Sequence, residues 1–459
     1  MISIHPVEDL GAWISQVAGR PPTSVRRRPG GGRHQAYDVV VDDGAGCAHE
    51  LFLRADATEP PPWEHYTLRR EAAIYRALHP TAVPVPAVLA LHDRLPAVLM
   101  EKAPGEARFS GLEPSVQQDI IDTFVPVLFA LHSVDALALD LPGVVPAASI
   151  TEAVIHEVDI WERRLLDSAG PEPFVVACLA WLRANVPDVG DLPVLVQGDT
   201  GPGNFLHDGH QVTAVLDWEL AHLGDPVEDL AWVATRNAQE PVPDFDRLIA
   251  DYEHLAGPVD EGRLRYHMVF AETRIAILAA ARETGHRDPR GEVGNGLIYG
   301  ALHKRLTVEA VADVLSVELA ALDGPDGPDD HETAQTPLFD AALLQLREIV
   351  LPAIEDPFAS ARAKSLARVL KYLRGVDRYR SRHSSEERAE LGALLGRPIT
   401  DVDAARTELA GAVRAGRLGV ADLVEPAWGA VRREHQALGD AMGVLARRHL
   451  PGPRPGPRS

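Results

Sequence analysis

Apolar and polar residues alternate with a period of two along three stretches near the start of the chain: TSVRRR (23–28), HQAYDVVV (34–41) and HELFLRA (49–55). Such alternation predicts strands with one buried face. Pro29-Gly30-Gly31-Gly32 and Asp42-Asp43-Gly44-Ala45-Gly46 predict the turns between them. A short amphipathic helix is predicted ahead of these strands, over residues 1–20. Past a proline-rich loop, Glu59 to Pro62, the period becomes helical. Leu68, Ile74, Tyr75 and Leu78 share one stripe of a helix predicted over about 63–79. Two more strands follow, near Ala87–Leu91 and Ala97–Glu101. From about residue 105 the pattern is mainly helical, with helices near 113–135, 150–167, 172–186 and, in several pieces, 226–321. The segment LPVLVQGDTGPGNFLHDGHQVTAVLDWELAHLGDP interrupts them and reads as strand, loop, hairpin and loop, with the hairpin turn at His207-Asp208-Gly209-His210.

The last third adds a second helical region. LDGPDGPDDHETAQT, from residue 322, is rich in Gly, Pro and Asp and nearly free of apolar residues, which marks a linker. Beyond it, Leu343, Leu346 and Val350 fall at helical spacing, as do Leu366, Val369, Leu370 and Leu373. Ser384 and Glu387 fit a capping box that opens another helix. The tail PGPRPGPRS has nothing to build a core from and is expected to be disordered. The expected organisation is therefore a small sheet region over 1–104, a helical region over 105–322, a linker over 323–336, a helical accessory domain over 337–450 and a tail over 451–459.

Composition narrows the class. Apolar residues make up 46% and charged residues 24% of the 459, an ordinary globular balance with material for more than one core. The formal charge of −22 lacks the basic face that a nucleic-acid partner needs, so none is expected. Cys47 and Cys178 lie far apart and suggest neither a disulfide framework nor a zinc site. MISIHPVEDLGAWI has no basic segment followed by an apolar run, and no stretch approaches the ~18 apolar residues of a membrane span. The expectation is a cytoplasmic protein without a membrane partner.

The interrupting segment carries the candidate chemistry. Asp199 follows the apolar run Val194-Leu195-Val196, Asn204 lies five residues on across two glycines and a proline, and Asp217 follows the run Val212 to Leu216. Two carboxylates and an amide at strand ends joined by a hairpin can converge on one point. Phosphoryl transfer to a hydroxyl needs such a set: an oriented acceptor for the hydroxyl proton, oxygen ligands for a divalent metal, and a cation for the phosphates. Each residue alone is also an ordinary turn former.

In order, Gln197-Gly198-Asp199 through Asn204, Asp217-Trp218-Glu219, Gly224-Asp225-Pro226 and Asp229-Leu230-Ala231 resemble the aminoglycoside phosphotransferase-like kinase family. The branch that looks nearest includes the kinase-like parts of certain acyl-CoA dehydrogenase fusion proteins. The family pattern is HGDxxxxN, D[WF]E and GDPxxDLA. The resemblance implies an α+β, bilobal protein-kinase-like fold, with a small antiparallel-sheet lobe and a mainly helical large lobe, followed by an all-α C-terminal domain. It implies Asp199 as catalytic base, Asn204 and Asp217 as Mg²⁺ ligands, ATP as phosphate donor and a small-molecule hydroxyl as acceptor. Glu219 would assist through a water or orient the loop, and Asp225 and Asp229 would cap a helix and brace the catalytic loop. Gln197 departs from the usual His. It can still donate and accept a hydrogen bond, so the change reads as tolerated.

The resemblance places nucleotide binding upstream. Gly30, Gly31 and Gly32 stand where a phosphate-covering loop belongs, though an ordinary hairpin turn explains them equally. Arg54 ends the third strand, at the position of the phosphate-gripping cation. Glu71 falls on the apolar stripe of the 63–79 helix, where a carboxylate needs a partner, and Arg54 is the natural one. Glu101 and Ala103 fit the hinge whose backbone would hold adenine.

Three other readings bear on the chain. A catalytically weak or inactive nucleotide-binding scaffold that acts through its C-terminal helical domain is an alternative, suggested by Arg54 and Gln197. A metallohydrolase would need His-rich ligand sets, but His207 and His210 flank a turn and are expected in solvent, and HEVDI at 156 lacks the second His of HExxH. The module over 337–450 resembles a helical domain that accompanies this kinase branch, and it reads as a surface for a protein partner. Its cluster Arg374, Arg378, Arg380, Arg382 and His383 reads as a solvated basic loop. The acceptor pocket is expected from large-lobe helices, with Glu272 and Arg274 as candidates.

Overall fold

The computed structural model describes residues 6–28, 34–42, 48–56, 60, 64–139, 141–168, 172–283, 293–322 and 332–452. The triple glycine 30–32, Cys47, most of the proline-rich loop, most of the linker and the tail beyond 452 lie outside the described residues. The chain divides into two compact units. One takes Met1–His156, Pro187–Leu264 and Pro451–Ser459, and the other takes Glu157–Val186 and Arg265–Leu450.

The first unit opens with helix α1 (Pro6–Ala18) and a five-stranded antiparallel sheet in the order β1-β2-β3-β5-β4. Its strands are β1 (Pro22–Arg27), β2 (Gln35–Asp42), β3 (Ala48–Ala55), β4 (Val88–Leu91) and β5 (Ala97–Glu101). Alternation decides the two faces. Tyr37, Val39 and Val41 of β2 join Leu51, Leu53 and Ala55 of β3 in a core shared with Leu10 and Ile14 of α1. Phe52 and Arg54 therefore point the other way, towards helix α2 (Leu68–Leu78), which starts at an N-cap where Thr67 accepts from Arg70 N.

A two-way backbone exchange between Glu106 and His207, 3.0 Å each way, ties the chain after β5 to the region that carries Asp199 and Asp217. Four short strands build that region. β6 (Val194–Val196) pairs with β9 (His222–Gly224), and β7 (Phe205–His207) with β8 (Val212–Val215), both antiparallel. Helices α3 (Pro114–His132), α6 (Pro226–Asn237) and α7 (Phe245–Ala256) complete the unit, and α4 (Ile150–Ser168) begins in it. His207, expected in solvent, is fully buried: its Nε2 lies 3.1 Å from Arg108 O and its ring meets Phe109 edge-on. The strand pairing draws it inward, whereas His210 at the turn is exposed.

The second unit is helical. It holds α5 (Pro173–Ala184), most of α8 (Glu261–Glu283), α9 (Val293–Val314), α10 (Thr336–Gln345), α11 (Pro357–Leu395), α12 (Val402–Arg414) and α13 (Val420–Leu438). The C-terminal helices α11 to α13 pack on α5 and α9, so this unit crosses the boundary expected near residue 323. Close approach is by glycine: Gly375 of α11 lies against Ala437 of α13, and Gly294 of α9 against Ser365 of α11. The capping box at Ser384 does not open a helix, and the basic cluster Arg374 to His383 is not a loop, because α11 runs through both unbroken; Glu387 instead pairs with Arg406 of α12 at 2.5 Å. Leu366 and Leu373 of the apolar stripe on α11 remain exposed.

Candidate active site

β3 delivers Arg54 to the face where α2 waits. Arg54 Nη1 lies 2.5 Å from Glu71 Oε1 and 2.7 Å from Asp217 Oδ1. Glu71 is 2% exposed. Burial pushes its carboxyl up to about 7, against the pull of Arg54 and His34. α2 also holds the loop that carries Asp217. Tyr75 Oη accepts from Asp217 N at 3.1 Å, and Arg70 donates to the carbonyls of Glu219, Gly143 and Ala221. Asp217 itself sits in the left-handed region, φ 57°, which Asp tolerates better than most residues. That backbone turn presents a carboxylate 40% exposed.

His34, just before β2, bridges two carboxylates. Its Nδ1 meets Asp56, and its Nε2 lies 2.8 Å from Glu219 Oε2. Burial lowers the ring's proton affinity, but the two carboxylates outweigh it and raise the pKa to about 9. Glu219 is thereby fixed from the sheet side.

β6 ends at the loop that carries Asp199 and Asn204. Gln197 Nε2 donates to Leu216 O at 2.5 Å, across to the end of the hairpin. Asp229 of α6 accepts from Gln197 N at Oδ2 and Gly198 N at Oδ1, both at 3.0 Å, and from the Thr200 hydroxyl at Oδ1, while His132 Nε2 lies 3.0 Å from Oδ2. Gly198 has φ +76°, and a Cβ there would stand 2.6 Å from Leu220 O, so only glycine fits. Asn204 Nδ2 donates to Asp199 O at 2.7 Å and to Asp199 Oδ2 at 2.8 Å. Leu216 N donates to Asn204 O at 2.8 Å, which ties the loop to the strand leading to Asp217. Burial raises the Asp199 carboxyl, opposed by Arg236 and Asn204.

Asp225 caps α6 through Val227 N at 3.0 Å and forms a fork with Arg263, at 2.5 and 3.1 Å. The structure thus gathers Arg54, Glu71 and Asp217 in one cluster and Gln197, Asp199 and Asn204 in an adjoining loop, which Asp229 holds from α6. Glu101 ends β5, with its N–H bound to Ala87 O at 2.9 Å, and Ala103 follows. Among the described residues no hydrogen bond or ion pair joins these two to Arg54, Asp199 or Asp217. Glu272 and Arg274 are fully buried in the other unit, where Glu272 Oε2 lies 2.9 Å from His303 Nδ1 and Arg274 stacks over Phe270. Among the described residues no group of three or more His, Cys, Asp or Glu is placed to hold a metal ion.

Sequence reasoning missed His34, Arg70 and Arg236. Arg236 Nε and Nη2 reach Asp199 Oδ1 and Oδ2 at 2.8 and 2.7 Å. One signal pointed to it: Arg236 falls seven residues after Asp229, on the same helix face.

The sequence model of the phosphotransferase enzyme family (APH) matches residues 24–267, more than half of the chain. This chain belongs to the phosphotransferase enzyme family. Among relatives of this phosphotransferase, acyl-CoA dehydrogenase family member 10 of Mus musculus is 32% identical over 179 residues, 36% of this chain and 16% of the relative. Acyl-CoA dehydrogenase family member 11 of Rattus norvegicus is 28% identical over 224 residues, 44% of this chain and 28% of the relative. The matched segments thus cover less than a third of either relative. A crystal structure of a Ralstonia eutropha protein assigned to the aminoglycoside phosphotransferases superposes with a TM-score of 0.51 and 22% identity, over 68% of this chain and 99% of that one. At that identity the likeness shows the fold, which is the expected kinase-like α+β fold with a helical C-terminal region. Family and fold together place this chain among the kinase-fold members of the phosphotransferase enzyme family.

Proposed function

We propose that this phosphotransferase is an ATP- and Mg²⁺-dependent kinase that phosphorylates a hydroxyl of a small metabolic molecule. The observation that carries the reading is the position of Arg54, which holds Glu71 at 2.5 Å and Asp217 at 2.7 Å with one nitrogen. That contact links the cation of the sheet region to the loop bearing Asp217, and the hairpin links that loop to Asp199 and Asn204.

The donor chemistry fits Mg²⁺. This ion prefers hard oxygen ligands and takes one or two from protein, leaving the rest to phosphate and water. Asn204 spends its amide nitrogen on Asp199, so its carbonyl oxygen remains the acceptor end, and the Asp217 carboxylate is partly exposed. Asn204 and Asp217 would hold the metal, which when bound neutralises charge on the phosphates. Arg54 would grip the phosphates, with Glu71 fixing its direction. Asp199 would accept the hydrogen bond of the acceptor hydroxyl and take its proton as the phosphoryl group leaves ATP. Gln197 and Asp229 hold the backbone that aims Asp199. Glu219, fixed by His34, would orient the Asp217 loop. The backbone from Glu101 to Ala103 would receive adenine, and Gly30, Gly31 and Gly32 would cover the phosphates. A hydroxyacyl compound is the proposed acceptor class, on the strength of the likeness to acyl-CoA dehydrogenase family members 10 and 11.

The test is ADP release from Mg·ATP in the presence of pooled hydroxylated metabolites, followed by isolation of the phosphorylated product. Wild-type protein is expected to turn over, and Asp199→Ala to lose at least ~100-fold, the usual worth of a positioned general base. Turnover left intact by Asp199→Ala would remove Asp199 from the mechanism.

A further inference from the structure

α6 grips the catalytic loop at two points on one face. Asp229 holds the first half through the N–H groups of Gln197 and Gly198 and the hydroxyl of Thr200. Arg236 stands two turns further on, about 10 Å along the same face, and holds the second half. Its guanidinium is spent on this loop: Nε lies 2.8 Å from Asp199 Oδ1 and 3.2 Å from Asp199 O, Nη2 2.7 Å from Asp199 Oδ2, and Nη1 3.0 Å from Pro202 O. The loop is cut to admit it. A Cβ on Gly201 would stand 3.2 Å from Arg236 Cδ, and one on Gly203 would stand 3.2 Å from Nη1, and both glycines have positive φ.

We propose that Arg236 is the positioning residue for Asp199: its planar fork fixes the rotamer of the carboxylate and so the oxygen edge left for the acceptor hydroxyl. The proposal rests on Asp199 being the group that receives the hydroxyl proton. Without the fork, the Asn204 amide on Oδ2 is the one hydrogen bond the carboxylate keeps among the described residues, and it can rotate. A lysine supplies charge but no fork, so it does not substitute. A misplacement of about 1 Å is enough to cost roughly 100-fold in rate. The loss falls on kcat and spares the KM for Mg·ATP, because the contacts of Arg236 lie on the catalytic loop and not on Arg54.

The experiment combines a crystal structure of Arg236→Ala with chemical rescue. In the crystal, Asp199 is expected to leave the rotamer that bonds Asn204. In the ADP-release assay, Arg236→Ala and Arg236→Lys are expected to lose about 100-fold in kcat with KM for Mg·ATP within about twofold. Guanidinium ion added to Arg236→Ala should restore part of the rate, and ammonium ion should not. An Arg236→Ala crystal in which Asp199 keeps its rotamer overturns the proposal, whether or not an acceptor is in hand. Equal rescue by ammonium, or a fully active Arg236→Lys, overturns it as well. If the alanine variant does not fold, Arg236→Lys carries the same rotamer test. Full turnover by Asp199→Ala is a different failure and strikes the underlying reading instead.

Discussion

His34 carries a charge that its burial opposes and its neighbours impose. The ring is 5% exposed, yet Asp56 and Glu219 raise its pKa to about 9, against an ordinary 6.5. The folded state therefore binds a proton that the unfolded chain gives up between those values. The stabilisation is complete below about 6.5 and is lost as pH rises through about 9, with an upper limit on the order of 3 kcal/mol. Urea denaturation across this window should show wild-type stability falling with pH. His34→Gln should start lower and fall less steeply. Parallel curves for the two proteins would show that the ring is neutral at its site. None of this was visible from the neighbours of His34 in the chain, because Glu219 reaches it from 185 positions away.

α6 depends on a cap that is also half of an ion pair. Asp225 is fully buried, accepts from Val227 N at 3.0 Å and forks with Arg263. Loss of an N-cap costs about 1 kcal/mol, and breaking a buried pair costs about 3–5 kcal/mol. Arg263 keeps 23% of its side chain in water, which moderates the second term. Asp225→Ala is expected to destabilise by roughly 2–4 kcal/mol in denaturant unfolding, and Asp225→Asn, which retains the cap, by less. The cap was legible because Gly-Asp-Pro puts a cap residue before a proline at the first helical position. The Ser384–Glu387 box has the same local grammar and failed. Its preceding residues Arg380, Arg382 and His383 include no helix breaker, so the chain stays helical and Glu387 is used by Arg406 instead. A cap signal is thus trustworthy where something also stops the previous element.

The placement of Asp199, Asn204 and Asp217 around one hairpin was legible because they lie within 19 residues, between strands that fix their direction. Arg70 and Arg236 were not, because an arginine's partner depends on which loop the helix lies against. Composition marks a polar stretch near residue 323, while the helical packing of α5 and α9 continues into α11 and α13 beyond it. Charge acts on the molecule as a whole and was fully readable. With 45 basic and 67 acidic residues, the chain repels itself when compact. Opposing this are surface pairs such as Arg397–Glu408 at 2.5 Å, each worth about 0–1 kcal/mol and weakened by the same salt. Repulsion among many unpaired acids acts over longer distances than these contacts, and at low ionic strength the screening length approaches about 30 Å. Raising NaCl from about 10 to about 150 mM shortens it to about 8 Å and removes the long-range part first. The melting temperature by calorimetry should therefore rise by a few degrees over this range and then level off. A fall instead would mean that local ion pairs outweigh the excess of 22 negative charges.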